Sequence, residues 1–256
     1  MQVVILAGGY GTRIAEESRI KPKPMIEIGE RPILWHIMKM YSFYGFNDFI
    51  ICCGYKGHVI KDYFQSYTLN NADFKVNLKS GLVSIINNPK EDWNVTLIDT
   101  GIESMTGGRL KRIKPYLNGE DFHMTYGDGV SDINLNELVE HHKETNVLAS
   151  VSAVRPPGRF GALKITDRNL VASFEEKPIG DGGRINGGFF VLNKSVLDLI
   201  DSDDTVWEQN PLNQLASTGE LAAFKHDGFW QPMDSLRDKN YLNELWETKT
   251  APWKVW

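Results

Sequence analysis

The chain is short of cysteine: it has two, Cys52 and Cys53, side by side in an apolar run. They read as small core residues of a strand, which excludes a disulfide framework. No cysteine–histidine spacing offers a zinc site. Positive charge is also in deficit, with 28 Lys and Arg against 33 Asp and Glu and a net charge of −5. No basic field therefore invites nucleic acid. The apolar runs are far too short for a membrane span, and Met1-Gln2-Val3 lacks the basic start of a signal peptide. A cytoplasmic protein with neither membrane nor nucleic-acid partners is the expectation. Internal repeats, low-complexity linkers and a nucleophile–histidine–acid arrangement are all missing. What remains is 256 residues, 41% of them apolar, enough to bury one sizeable core. A single domain over 1–256 is expected.

Against that background the first residues stand out. Val3-Val4-Ile5-Leu6-Ala7 runs straight into Gly8-Gly9-Tyr10-Gly11-Thr12-Arg13, and Lys21-Pro22-Lys23-Pro24 comes soon after. An apolar run ending in clustered glycines reads as a buried strand opening into a loop. Such a loop lets the backbone approach a ligand closely, and its free N–H groups can cradle phosphate oxygens. Thr12 adds a hydroxyl, Arg13 a planar fork of donors and Lys23 a point charge. Together they predict a nucleoside triphosphate held by its phosphates. The Walker pattern is absent, because Gly11 is followed by Thr-Arg and not by Lys-Ser/Thr. The Gly-x-Gly-x-x-Gly dinucleotide spacing is absent too.

Periodicity predicts an amphipathic helix near Pro32–Tyr44, a buried strand at Phe49–Gly54 and a helix starting at Val59–Tyr63. Further strands are expected at Trp93–Asp99, Phe122–Gly127 and Val147–Val154. Further helices are expected at Leu135–Thr145, within Val191–Ile200 and at Asp234–Glu247. Strand–helix alternation predicts an α/β fold with a Rossmann-like doubly wound sheet. After Arg155 the pattern shortens into a smaller β region that ends in the C-terminal helix. Ser66–Glu91 is polar and poorly periodic, a loop or hairpin excursion from the sheet. His141-His142 is read as the exposed face of a helix. Trp230 and Trp246 are read as caps on the core, and the Trp253–Trp256 turn as an interface element.

Gly127-Asp128-Gly129 follows an apolar strand. A carboxylate there suits Mg²⁺ bridging phosphate oxygens, although Asp-Gly also makes ordinary turns. Asp234 is a second carboxylate, in Phe229-Trp230-Gln231-Pro232-Met233-Asp234, and Asp132 an alternative ligand. Phe174-Glu175-Glu176-Lys177-Pro178 is a second compact motif, flanked by Phe160-Gly161-Ala162-Leu163 and Ile185-Asn186-Gly187-Gly188.

The Leu-Ala-Gly-Gly-x-Gly-Thr-Arg stretch with its Lys-Pro pair, and the later Glu-Lys-Pro, resemble the sugar-nucleotidyltransferase family from Met1 to near Trp256. The resemblance implies a mixed sheet of that type, with 1–150 mainly binding nucleotide and 151–256 mainly binding sugar. It implies that Asp128 and Asp234 hold Mg²⁺, that Glu176 meets a sugar hydroxyl and that Lys177 meets the sugar phosphate. Gly161, Asn186 and Gly187 would line the hexose pocket. The nucleotide set is Leu6, Ala7, Gly8, Gly9, Tyr10, Gly11, Thr12, Arg13, Lys23, Ser104, Gly108, Arg109 and Asp128. Asp99-Thr100-Gly101 with Thr106-Gly107-Gly108-Arg109 resembles the members that take CTP and glucose 1-phosphate. The implied product is CDP-glucose, for deoxysugars of bacterial O-antigen. Catalysis would rest on Arg13, Lys23, Asp128 and Lys177, with Arg109 donating to the base and carbonyls near Leu6–Gly8 accepting from its amine. Homo-oligomers, hexamers among them, are implied as well. UTP or dTTP as the nucleotide, a metal-dependent glycosyltransferase and a silent nucleotide-sugar sensor are the alternatives. The Asp-x-Asp pair of such glycosyltransferases is missing from Asp128-Gly129-Val130.

Overall fold

The computed structural model describes residues 1–11, 14–18, 20–156, 162–165, 170–175 and 183–256. Seven strands form one mixed sheet: β1 (Val3–Leu6), β2 (Asp48–Cys53), β3 (Asn94–Asp99), β4 (Asp121–Tyr126), β5 (Ala149–Val154), β6 (Ile185–Asn193) and β7 (Leu221–His226). Their spatial order is β7-β5-β6-β4-β1-β2-β3. Strand β6 runs antiparallel to β4 and β5, and every other pairing is parallel.

The first strand explains why the sheet is covered on both faces. All four of its residues are buried. Val3 and Ile5 belong to one core cluster, whereas Val4 and Leu6 belong to the other. Alternating side chains of a strand point to opposite faces, so a strand apolar at every position needs a layer on each side. Helices α1 (Ile33–Phe43) and α4 (Leu135–Thr145) supply one layer; α3 (Thr106–Ile113) contributes Leu110 and Ile113 to the other. Helix α2 (Gly57–Gln65) follows β2, and α5 (Leu236–Glu247) closes the chain. Cys52 and Cys53 are free and buried within β2, one on each face. Among the described residues no helix is long and apolar enough to cross a membrane.

Smaller strand pairs decorate this frame. Ala162–Ile165 pairs with Val171–Glu175 as the expected minor β region. Asp73–Val76 pairs with Val83–Asn87, so the Ser66–Glu91 excursion contains a hairpin, preceded by the short helix Tyr67–Asn71. Gly129–Ser131 pairs with Trp230–Pro232, a short ribbon that ties the chain just beyond β4 to the segment just before α5.

Three expectations need correction. The helix expected within Val191–Ile200 begins only after β6 has run to Asn193. It is a 3₁₀ turn, Lys194–Leu199, whose Ser195 amide is met by the Asn193 side chain. His142 is buried, with Nδ1 2.9 Å from Ser150 Oγ, because α4 lays that face on β5. Trp253 is fully buried within its own chain, close to Trp246 and Phe229 in near-parallel ring pairs, and so is not an interface element.

The C-terminal tryptophans enclose His36. Its Nε2–H donates to Ile28 O at 2.9 Å, and Trp246 approaches its ring edge-on. Burial lowers the His36 pKa to about 4 and that of His123, in β4, to about 3. An unfolded histidine titrates near 6.5, so these groups stabilise the fold fully above that pH. The contribution is lost as pH falls toward their folded-state values. At pH 5 each should cost about 2 kcal/mol relative to pH 7. Urea unfolding should therefore show a clear loss between pH 7 and 5, and His36→Gln should flatten that dependence. An unchanged slope in His36→Gln would rule out a buried neutral imidazole there.

Candidate active site

Parallel strands β1, β2 and β4 all end at the same edge of the sheet. The chain leaves β1 toward β2 on one side, and β4 returns on the other. A crevice opens at such a switch point outside the carboxyl ends of the strands. Here it is a cavity of about 410 Å³, lined by Leu6, Ala7, Gly8, Gly9, Tyr10 and Gly11 on one wall. Ile102, Glu103, Ser104, Met105, Thr106 and Arg109 form the opposite wall, and Lys23, Pro24, Tyr126, Gly127 and Asp128 lie between them. Most of the nucleotide residues expected from sequence thus meet in one place. Thr12, Arg13, Gly161, Glu176 and Lys177 lie outside the described residues.

The glycine loop is fastened by backbone bonds at its root. Ala7 N–H donates to Cys52 O at 3.1 Å, and Tyr55 N–H to Gly8 O at 3.0 Å. Gly11 takes φ +63°, a left-handed conformation that turns the chain back over Lys23. Gly9 is exposed, and a Cβ there would meet nothing within 4 Å. Tyr10 reaches across the mouth, its hydroxyl donating to Glu103 Oε1 at 2.8 Å.

Lys23 begins the 3₁₀ turn Lys23–Met25, whose fixed geometry follows from the flanking Pro22 and Pro24. Its ammonium donates to Asp128 Oδ2 and to Asp234 Oδ1, each at 2.6 Å. The aspartates are remote in sequence, and the Gly129–Ser131/Trp230–Pro232 ribbon brings them together. Pro232 pairs with Gly129, and Met233 N–H donates to Asp128 O at 2.8 Å. Asp234 then precedes Ser235, the N-cap of α5, and its amide is held by Asp238. Burial pulls the Lys23 pKa down, but the two carboxylates outweigh it and raise the value overall, so the ammonium stays charged. Asp132 does not join this cluster. It faces His226 instead, with Oδ1 2.9 Å from Nε2.

Arg109 lines the cavity but is engaged with the protein itself. Nη1 donates to Thr100 Oγ1 and Gly101 O, and Nη2 to Gly8 O and Ile102 O, at 2.7–3.3 Å. A buried guanidinium spent on protein oxygens braces the two cavity walls against each other. Gly108 is also structural: a Cβ there would lie 2.3 Å from Asp203 O, so it lets α3 pack against the 203–205 turn. Gly187 is also closely packed. A Cβ there would lie 2.5 Å from Ser152 Oγ, and its carbonyl accepts from Trp230 Nε1. Asn186 is exposed just before it, its Oδ1 accepting from Gly188 N–H. Both sit near the carboxyl end of β4, since Phe189 pairs with Thr125.

Sequence reading missed Glu208. It accepts from Thr106 Oγ1 at 2.6 Å and from the Tyr126 hydroxyl, linking the loop wall to the end of β4. No motif surrounds it, so no local signal could have found it.

A profile described as nucleotidyl transferase matches residues 2–231. The glucose-1-phosphate cytidylyltransferase of Salmonella typhi is 58% identical over the full length of both chains. The mannose-1-phosphate guanyltransferase of Yarrowia lipolytica is 30% identical over 95% of this chain and 62% of its own. HddC from Yersinia pseudotuberculosis, solved with GMP-PN, superposes with a TM-score of 0.71. It is 25% identical, over 96% of this chain and 99% of its own.

Bracing by Arg109 has a measurable consequence. Arg109→Ala would strand several buried carbonyls, and charged hydrogen bonds contribute about 1.5–3 kcal/mol each. Allowing for overlap, chemical denaturation should register a loss of about 3 kcal/mol. Arg109→Lys should recover little of it, because an ammonium cannot span both walls. Stability unchanged in Arg109→Ala would return the residue to base reading.

Proposed function

The chain belongs to the nucleotidyl transferase family, and on that premise we propose that it transfers the cytidylyl group of CTP to glucose 1-phosphate. Pyrophosphate leaves and CDP-glucose forms. The reaction type rests on one observation: a glycine loop, Lys23 and Asp128 line a single cavity, and Asp234 joins them through its bond to Lys23. The Salmonella relative supports CTP and glucose 1-phosphate as the substrates.

The attacking phosphate oxygen is already anionic, so an in-line attack on the α-phosphorus needs no general base. Catalysis then reduces to positioning and charge neutralisation. Amides of the Gly8–Gly11 loop receive the phosphates, and Lys23 neutralises charge around the α-phosphate. Thr12 and Arg13 hold the departing pyrophosphate, Lys177 aligns the sugar phosphate, and Glu176, Gly161, Asn186 and Gly187 surround the hexose; these roles rest on sequence. Asp128 and Asp234 fit a divalent cation, because a cationic ammonium already sits between their oxygens. Among the described residues no group of three or more metal-ligating side chains occurs, so phosphate and water oxygens would complete the shell. Mg²⁺ held there would draw charge from the phosphates.

The product would enter deoxysugar synthesis for surface polysaccharide, as the resemblance to the CTP-using members implies. Both substrates are made inside the cell, which supports the cytoplasm. Self-association is supported by the 73–87 hairpin, where Phe74, Val76, Leu82 and Ile86 stand exposed.

Incubation with CTP, glucose 1-phosphate and Mg²⁺ should release pyrophosphate, and UTP or dTTP should react at least about tenfold more slowly, ~1.4 kcal/mol in the barrier. Equal rates with UTP would overturn the base assignment. A glycosyltransferase or a silent sensor would release none. Gly9→Ala offers a finer test, since its methyl group meets no protein atom. The variant should keep the wild-type melting temperature while the KM for CTP rises about tenfold, ~1.4 kcal/mol. The KM for glucose 1-phosphate should stay unchanged. A normal KM for CTP would mean that phosphates do not approach the loop at Gly9.

A further inference from the structure

Lys23 occupies the position that a cation between Asp128 and Asp234 would take. Its Nζ is 2.6 Å from one oxygen of each carboxylate, in a pocket where the lysine is 8% exposed. A divalent ion cannot join that arrangement at the same oxygens without driving the ammonium away. A displaced ammonium that stays buried without an anion is costly. The cavity supplies one new partner only when a phosphate chain lies along the Gly8–Gly11 wall, because Lys23 lines that same space.

We propose that Lys23 is a placeholder cation: it holds the carboxylate pair together in the nucleotide-free enzyme and surrenders it to the metal only when nucleotide phosphates take up the ammonium. This rests on the assignment of the metal to Asp128 and Asp234. It adds a coupling that the assignment alone does not contain. Metal by itself binds weakly, since it must expel a lysine that has nowhere to go. Nucleotide by itself must pull the same lysine from its two carboxylates. Each ligand removes the cost the other would meet, and such coupling is reciprocal. The enzyme therefore takes up metal and nucleotide together and does not hold a resident ion between turnovers. The short 3₁₀ turn, in which Lys23 stands between Pro22 and Pro24, suits this duty. It fixes the Lys23 backbone and leaves the four-carbon stem to make the movement.

The test is Mn²⁺ binding to the full chain without nucleotide, tracked by loss of the free-ion electron paramagnetic resonance signal. Lys23→Met should bind Mn²⁺ at least about tenfold more tightly than the wild type, despite losing turnover. Lys23→Gln, which keeps a donor but not the charge, should do the same, and circular dichroism checks that each variant is folded. Asp234→Asn added to Lys23→Met should abolish the gain. Wild-type Mn²⁺ affinity in both folded Lys23 variants would overturn the placeholder role, while the metal assignment would stand if Asp234→Asn weakens Mn²⁺ binding in the presence of CTP. If Asp234→Asn leaves Mn²⁺ binding unchanged both with CTP and in the Lys23→Met background, the metal assignment fails and the placeholder fails with it.

Discussion

One ammonium group joins three parts of the chain that are far apart in sequence. Lys23 follows the glycine loop, Asp128 lies just past the end of β4 and Asp234 introduces α5, and all three meet at Nζ. Without a cation between them, two partly buried carboxylates so close together would repel, and water could not fully relieve the cost. The ribbon of Gly129–Ser131 and Trp230–Pro232 delivers the aspartates, but a ribbon of so few residues is weak in isolation. Its geometry and the Lys23 contacts support each other. The C-terminal helix is therefore tied to the cavity through Lys23, since its capping box begins directly after Asp234.

Arg109 performs the matching task on the other side. The glycine loop and the 99–106 loop both extend beyond the strand ends, and each exposes carbonyl oxygens that need donors. A guanidinium can reach several carbonyls at once in a plane, which explains why Gly8 and Gly54 must lack side chains. A Cβ at either would lie 2.2–2.4 Å from its terminal nitrogen. Close backbone approach at Gly8 thus serves the brace, whereas openness at Gly9 leaves room for a ligand. Two adjacent glycines carry different demands, and the first is met entirely within the protein.

Sequence reading succeeded where the determining contacts are local. Val3–Leu6, Asp48–Cys53 and Leu135–Thr145 declare themselves through apolar runs and periodicity, and the glycine loop through contiguous residues. The cavity wall was legible because loop and Lys-Pro turn are neighbours in the chain. Failures came where a distant partner decides. His142 is polar on a helix of alternating character, and only the seating of α4 on β5 buries it. Trp253 is hidden by Phe229 and Trp246. Only the resemblance preferred Asp234 to Asp132, because the contacts that separate them, Lys23 for the one and His226 for the other, are distant in sequence. Glu208 carries no signature, since its role exists only through Thr106 and Tyr126.

The two anchors divide the cavity into parts that can change independently. The phosphate side is held by charge: Lys23 and two carboxylates, with little freedom in residue type. The opposite wall is held by backbone capture, since Met105 N–H donates to Asp203 O, Gly107 N–H to Thr205 O, and carbonyls of 101 and 102 accept from Arg109. Backbone capture leaves the side chains of Ile102, Ser104 and Met105 unspent, so they can vary without loosening the wall. Such a cavity can keep its charged side fixed while the side chains of the opposite wall change, because those side chains are not what holds the loop.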